Sequence, residues 1–284
     1  MADLRDLVTP TNCNSWLDLA RQIDDLSAAK TSGDSAHWIY RGQAEASWWL
    51  KPSIERFKDS LTNPAANYTI QQLENQLLYD FRSLAPQFLA NLPRQSDTLE
   101  WLAVLQHYGT PTRLLDWTYS PTVAAYMALK DKPGDGHGGK CQRACVWALN
   151  IGKLQRQIQD HLRISSWTEA YRKALRDARG ESGSAYITPF LPNSRFSRMS
   201  AQQGLFLVKT VDEEPFMQTL QTMNPLDDST FIKRLIIPHS SRISILAHLL
   251  EHNTHEVGLF PDADGLGRFV RTKVEIQSQT LGLR

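Results

Sequence analysis

Four stretches bring together side chains that could do chemistry. The densest is Gln106-His107-Tyr108-Gly109-Thr110-Pro111-Thr112-Arg113-Leu114-Leu115-Asp116-Trp117-Thr118, which runs on into Tyr119-Ser120-Pro121. It sets an imidazole, a guanidinium, a carboxylate and several hydroxyls around a turn punctuated by Gly109 and Pro111. His107 reads either as a turn histidine satisfied by backbone or as an acid/base group. Arg113 lies inside an apolar strand pattern, where an unpaired charge is costly, so it must find a partner. The second stretch is Tyr40-Arg41-Gly42-Gln43. Arg41 there either grips an anion or pairs with a buried carboxylate such as Asp116, and Gly42 lets a backbone come close. The third, Arg198 to Gly204, carries Gln202 and Gln203 ahead of an apolar strand. The fourth is His248-Leu249-Leu250-Glu251-His252, the H-x-x-E-H pattern of inverted zinc peptidases, which puts two histidines on one helix face. That helix also spends Ile245, Leu246 and Leu249 on a core face, and little chain follows it to supply a distant acidic ligand. No metal is expected.

Periodicity supplies the elements that must hold these groups. Thr112 to Trp117 reads as a buried strand, and Ser120-Pro121 as an N-cap and first helical residue opening a helix over Thr122 to Lys130. That helix would present Val123, Tyr126 and Met127 on one face. A strand tip feeding a capped helix is a common place to hold an anion or a cofactor, and equally a tightly packed core turn. Helices are expected at Asn14 to Ala29, Ile70 to Leu84, Asp97 to Leu105 and Ser241 to Glu251. Ser53 is read as a helix cap, and Ile151 to Arg179 as charged and weakly helical. Strands are expected at His37 to Gln43, Ala144 to Leu149, Tyr186 to Phe190, Leu205 to Val208 and Leu235 to Pro238. Thr31 to Ser35 is a turn cluster, Pro133 to Gly139 a loop open to insertion, and Val257 to Asp262 a turn onto a last short segment. This mixture argues for an α+β class over regular βαβ alternation.

Composition narrows the function. The 284 residues are 41% hydrophobic and 21% charged, ordinary for a globular protein, and the formal net charge of +1 gives no bulk attraction to nucleic acid. Cys141 and Cys145 form a C-x3-C pair that lacks the two further ligands of a zinc site, and with Cys13 they suit a reduced, cytoplasmic protein. No apolar run approaches the ~20 residues of a membrane span, and the N-terminus has no basic-then-apolar signal region.

Tyr40 to Gln43, His107 to Thr118, Arg198 to Phe206 and the late Phe260-Pro261-Asp262-Ala263-Asp264-Gly265-Leu266 together resemble the bacterial FRG-domain family, named for an aromatic-Arg-Gly motif. The resemblance spans roughly residues 36 to 270, leaving 1–35 as an N-terminal helical extension and 271–284 as a tail or short strand. The motif order is in turn similar to that of the ADP-ribosyltransferases. That likeness implies an ADP-ribosyltransferase-like mixed β core with helices packed around it. It also implies NAD as substrate and a macromolecular acceptor, RNA, DNA or protein. A bacterial toxin or anti-phage role, with an antitoxin or regulatory partner and no membrane, would fit.

Residue by residue, the likeness makes Arg41 the NAD-gripping arginine, with Tyr40 beside it and Gly42 supplying close backbone. Thr118 and Ser120 stand for the hydroxyl motif and Tyr126 for the aromatic on the following helix, and Arg113, which reads equally as a structural or a cofactor-binding residue, is kept among the cofactor-binding candidates. Gln203 takes the third-motif position, where these transferases generally have glutamate. Glutamine can orient an acceptor but is no general base, so Asp116 or His107 must take that role. Without such a replacement the chain would be a non-catalytic nucleotide-binding or regulatory module on the same fold. A zinc hydrolase built on His248, Glu251 and His252 ranks last.

Overall fold

The computed structural model describes residues 7–28, 37–61, 68–131, 142–181, 185–193, 197–210 and 213–280. The turn cluster at Thr31 to Ser35, the loop at Pro133 to Gly139 and Cys141 lie outside these residues.

Seven strands form one mixed sheet: β1 (Pro10–Asn12), β2 (Trp38–Gln43), β3 (Leu114–Thr118), β4 (Arg143–Asn150), β5 (Ile187–Phe190), β6 (Gly204–Lys209) and β7 (Ile232–Pro238). Their order across the sheet is β1-β7-β4-β2-β3-β6-β5. β1 runs parallel to β7 and every other pair is antiparallel. The α+β expectation holds at that level. The N-terminal segment is not only helical, because β1 adds an edge strand before the helix α1 (Trp16–Ala28).

β4 is buried along all but its first residue, and its alternation sorts the core into two faces. Cys145, Trp147 and Leu149 face a cluster with α6 (Ile151–Leu162) and α9 (Phe216–Met223). Ala144, Val146 and Ala148 face α1, α5 (Pro121–Leu129), α10 (Arg242–Glu251) and α12 (Ala263–Thr280). On β3, Leu114 instead joins α3 (Ile70–Leu84), α4 (Thr98–His107), Phe190 and Phe206 in a third cluster. Tyr40 stands opposite Thr118, so side-chain alternation places the α5 and α4 clusters on the same face, one over each half of the sheet.

The remaining helices are α2 (Ser53–Ser60), α7 (Trp167–Arg176), α8 (Ser197–Ala201) and α11 (Glu256–Leu259). Local chemistry explains most boundaries. Thr69 caps α3 through a capping box with Gln72, and Ser120 caps α5 by accepting from the Val123 amide at 3.3 Å, with Pro121 next. Ser53 is not a cap. Pro52 holds that position, while the Ser53 hydroxyl donates to the Thr112 carbonyl and accepts from the Thr112 amide. Ile151 to Arg179 resolves into α6 and α7, separated by Arg163 in the left-handed region at φ 55°.

The expected C-terminal tail is corrected. Ala263 to Thr280 is an 18-residue helix that continues the domain and packs on α10 and α11. Its entry is tight. Asp262 accepts from the Gly265 amide at 2.7 Å, and a Cβ on Gly265 would lie 2.0 Å from the Phe260 carbonyl oxygen. The Asp262 bond is an Asx-type turn closing the stretch from Val257 to Asp262. Among the described residues no helix is long and apolar enough to cross a membrane.

Candidate functional site

β2 and β3 are neighbours in the sheet, yet they pair at one register position only, Tyr40 with Thr118. Beyond it the strands part. Arg41 spans the gap: its Nη1 donates to the Asp116 backbone carbonyl at 2.6 Å, a bond a ladder amide would otherwise supply. The two halves of the helical layer part above the same line. A cleft of about 480 Å³ opens there, walled by Ala103, Gln106 and His107 of α4 on one side and Val123, Ala124, Met127 and Lys130 on the other. Gly42, Asp116, Thr118, Gly204 and Phe206 also line it, and Arg198, Met199, Gln202 and Phe260 close one end. This is the size and mixed polarity of a small-molecule site.

Gly42 has a steric reason to be glycine. A Cβ there would lie 2.0 Å from the Ala124 carbonyl oxygen and 2.5 Å from the Ala128 amide nitrogen, so α5 seats directly on the strand. The close backbone partner of Gly42 is therefore α5, although the residue lines the cleft.

Asp116 lies exposed in the cleft and is its one carboxylate among the lining residues. Gln106 Nε2 donates to it at 2.8 Å, while the Gln106 carbonyl oxygen accepts from the Thr112 hydroxyl. The Arg41 guanidinium stands 3.8 Å from the same carboxylate. That ion pair is long and one-sided, since the Asp116 side chain is 61% exposed, so it contributes little to stability. Arg41 Nε is buried and has no partner, which leaves one donor of a permanently charged group unused. Burial lowers the Arg41 pKa from its ordinary value, Asp116 opposes that shift, and Arg56 adds to it. Arg56 is thus a neighbouring cation that motif reasoning passed over.

His107 is held below the usual histidine pKa, first by burial and then by the Arg198 charge. Its imidazole is therefore neutral near pH 7. Tyr40 is 4% exposed, and burial pushes its hydroxyl up to about 12. Arg198 donates to Asp262 at 2.9 Å and lies 4.8 Å over the Phe260 ring, with Arg268 4.9 Å from the same ring. The cleft is lined by Arg41, Lys130 and Arg198; Lys130 pairs with Asp131 at 2.7 Å and Arg198 with Asp262, which leaves Arg41, 3.8 Å from Asp116, with the loosest pairing and the most attraction to offer an anionic ligand.

Of the candidate residues, Tyr40, Arg41, Gly42, His107, Asp116 and Thr118 line this one cleft. The other four do not. Arg113 is 3% exposed and buried against Glu74 at 2.7 Å, with Nη1 donating to the Lys209 carbonyl at 2.6 Å and Nη2 to that of Ala178. All its nitrogens are spent inside the core. Tyr126 is 1% exposed and lies against Phe260, Glu256 and Thr272 on the far side of α5, because Val123, Met127 and Lys130 take the cleft face. Ser120 spends its hydroxyl on capping α5 and on Thr122, and is absent from the lining. Gln203 adopts φ 48° in the turn between α8 and β6, which turns its side chain to solvent.

Gln202 lines the cleft instead, donating from Nε2 to the Leu259 carbonyl at 3.0 Å while its own carbonyl accepts from Thr118 at 2.6 Å. Thr118 also accepts from the Ser120 amide at 3.0 Å, so its hydroxyl already ties the β3 tip to the approach of β6. Arg198, Gln202 and Phe260 are site residues missed as such. Their signal was the pair of motif-bearing stretches at Arg198 to Gly204 and Phe260 to Leu266.

His248, Glu251 and His252 lie at the end of α10, and none of them lines the cleft. Nothing in their placement joins them to the chemistry of Asp116 and Arg41.

The family model of the FRG domain matches residues 36–136, which contain β2, α4, β3 and α5 and so both walls of the cleft. No curated protein and no solved structure matches the chain.

Proposed function

We propose that the cleft binds NAD and that the protein transfers ADP-ribose to a macromolecular acceptor. The observation that carries this reading is the partly used guanidinium of Arg41 beside the lone exposed carboxylate of Asp116, both at the parting of β2 and β3. Arg41, Lys130 and Arg198 supply positive charge for a diphosphate, and the lower dielectric of the cleft strengthens their attraction for it.

In the transfer, the bond between the nicotinamide ring nitrogen and C1 of its ribose breaks. The bonding pair leaves with the pyridinium nitrogen, which becomes neutral, and positive charge develops on the ribosyl ring. Asp116, fixed by Gln106, is the group to offset that charge. An acceptor oxygen or nitrogen then bonds to C1 and loses its proton to His107 or Asp116. Gln202, bonded to Leu259, can line the ribose but takes no proton.

The test uses NAD labelled in its adenylate half, cell lysate, and two variants. Wild type should release nicotinamide and transfer label, and digestion of the products with nuclease or protease identifies the acceptor class. Asp116→Asn should lose about 100-fold in turnover with NAD affinity largely kept. Arg41→Ala should lose affinity. Saturable NAD binding without nicotinamide release would favour a regulatory nucleotide-binding module, and absence of binding would overturn both readings.

A further inference from the structure

The run from His248 to His252 ends α10, and His252 is the residue that caps it. His248 is half-buried, Glu251 and His252 are exposed, and one ligand-type atom from each lies within 4.8 Å of the others. Three further observations bear on what this cluster can hold.

First, His252 Nδ1 lies 2.8 Å from the His248 backbone carbonyl. A carbonyl only accepts, so Nδ1 carries the proton and Nε2 keeps its lone pair. Backbone bonds of this kind set the tautomer and aim the ring of metal-bound histidines. Second, the His248 ring is held from two sides. It stacks on Trp16 of α1 with centroids 4.7 Å apart and planes at 27°, and lies 4.2 Å from the His252 ring. Rings already ordered give up little freedom when they take a ligand. Third, the last carbonyls of a helix make its C-terminal end partially negative, which favours a cation there.

We propose that His248, Glu251 and His252 form a surface site for a divalent ion of the zinc class. A ring nitrogen of His248, Nε2 of His252 and a Glu251 oxygen are its ligands, and solvent completes the sphere. Two imidazoles and a carboxylate select zinc over magnesium, which prefers oxygen ligands alone. The bound ion ties down the last turn of α10 and, through the His248 stack on Trp16, the start of α1. It acts as a clasp on the fold and is independent of the cleft.

The test is titration of the tag-free, chelator-stripped full chain with zinc chloride and with magnesium chloride, read by calorimetry and by thermal unfolding. Zinc should bind at one ion per chain and raise the unfolding midpoint, and magnesium should do neither. His252→Ala should weaken zinc binding by about tenfold or more and abolish the zinc-induced rise in the midpoint, measured against the variant's own metal-free midpoint because the His252 bond to the His248 carbonyl is lost as well. Glu251→Gln should weaken it less. Absence of stoichiometric zinc uptake would overturn the proposal, as would wild-type affinity in the His248→Ala/His252→Ala double variant.

Discussion

Arg113 and Glu74 allow a sharp test of whether an arginine in a motif serves the fold or the ligand. Both side chains are nearly excluded from solvent, at 3% and 6% exposure, and they meet at 2.7 Å. Arg113 Nε binds the Glu74 carboxylate of α3, while its two terminal nitrogens reach the Lys209 carbonyl of β6 and the Ala178 carbonyl after α7. Glu74→Ala removes the only counter-charge among these partners and leaves a guanidinium that cannot deprotonate. Breaking one half of a buried pair costs about 3–5 kcal/mol, a large share of the roughly 5–15 kcal/mol that holds a domain together. Urea unfolding should show the midpoint falling with the slope unchanged. Glu74→Gln keeps an acceptor and should lose less. Glu74→Leu with Arg113→Met should recover most of the loss, because matched apolar replacement of a buried pair is often neutral or better. A Glu74→Ala loss below about 1 kcal/mol would refute the argument. So would an Arg113→Met variant with normal stability and no NAD binding, which would return Arg113 to the ligand.

Gly42→Ala should fail through sterics. With a Cβ 2.0 Å from the Ala124 carbonyl oxygen, α5 must withdraw from β2, costing about 1–3 kcal/mol or more in the unfolding midpoint and distorting the cleft wall. Gly109→Ala is the contrast: nothing stands within 4 Å of its Cβ, so only its φ of 82° is penalised, at about 1–2 kcal/mol. His107 sets a pH signature. Its folded pKa is depressed, so below the ordinary value near 6.5 the unfolded chain takes up the proton first. Its contribution to stability is thus retained above about 6.5 and lost as the pH falls through the unfolded and then the folded pKa. Transfer activity that uses His107 as base should persist somewhat below pH 6.5, and Arg198→Ala should move that acid limb upward.

Local signals were legible because local physics wrote them. The Ser120-Pro121 start, the helix over Ile70 to Leu84 and the apolar strand at Ala144 to Leu149 each depend on neighbours a few residues away. Tyr126 and Gln203 show where that logic stops. Both belong to stretches with a functional pattern, yet the facing of a side chain depends on packing the pattern does not contain. Phe260 and the helix α12 claim the Tyr126 side of α5, and a left-handed turn at Gln203 hands the cleft to Gln202. Arg113 needs a partner on sequence grounds, but that partner, Glu74, lies 39 residues away on α3. The C-terminal helix is not legible because Val257 to Asp262 reads as a turn onto a last short segment, whereas Gly265 just beyond it lets the helix pass the Phe260 backbone.

The parting of β2 from β3 is the feature no local pattern carries, and it decides which residues can act together. A continuous ladder between the two strands would bond the Asp116 carbonyl to backbone and leave Arg41 without that contact. With the strands apart, Arg41 bonds the Asp116 carbonyl and is held beside the Asp116 carboxylate, which Gln106 fixes from the α4 side. The cation and anion are therefore positioned by backbone and amide, with little energy in their own pairing. A pair so weakly bound to itself, at the mouth of a cleft with a partnerless buried Nε, can exchange its mutual attraction for that of a ligand at low cost. On the proposed transferase reading, Gln203 in place of the motif's glutamate therefore weighs less than the motif alone implies. In the proposed reaction the carboxylate comes from β3, the strand paired with β6 on the same side of the β2–β3 parting as Gln203.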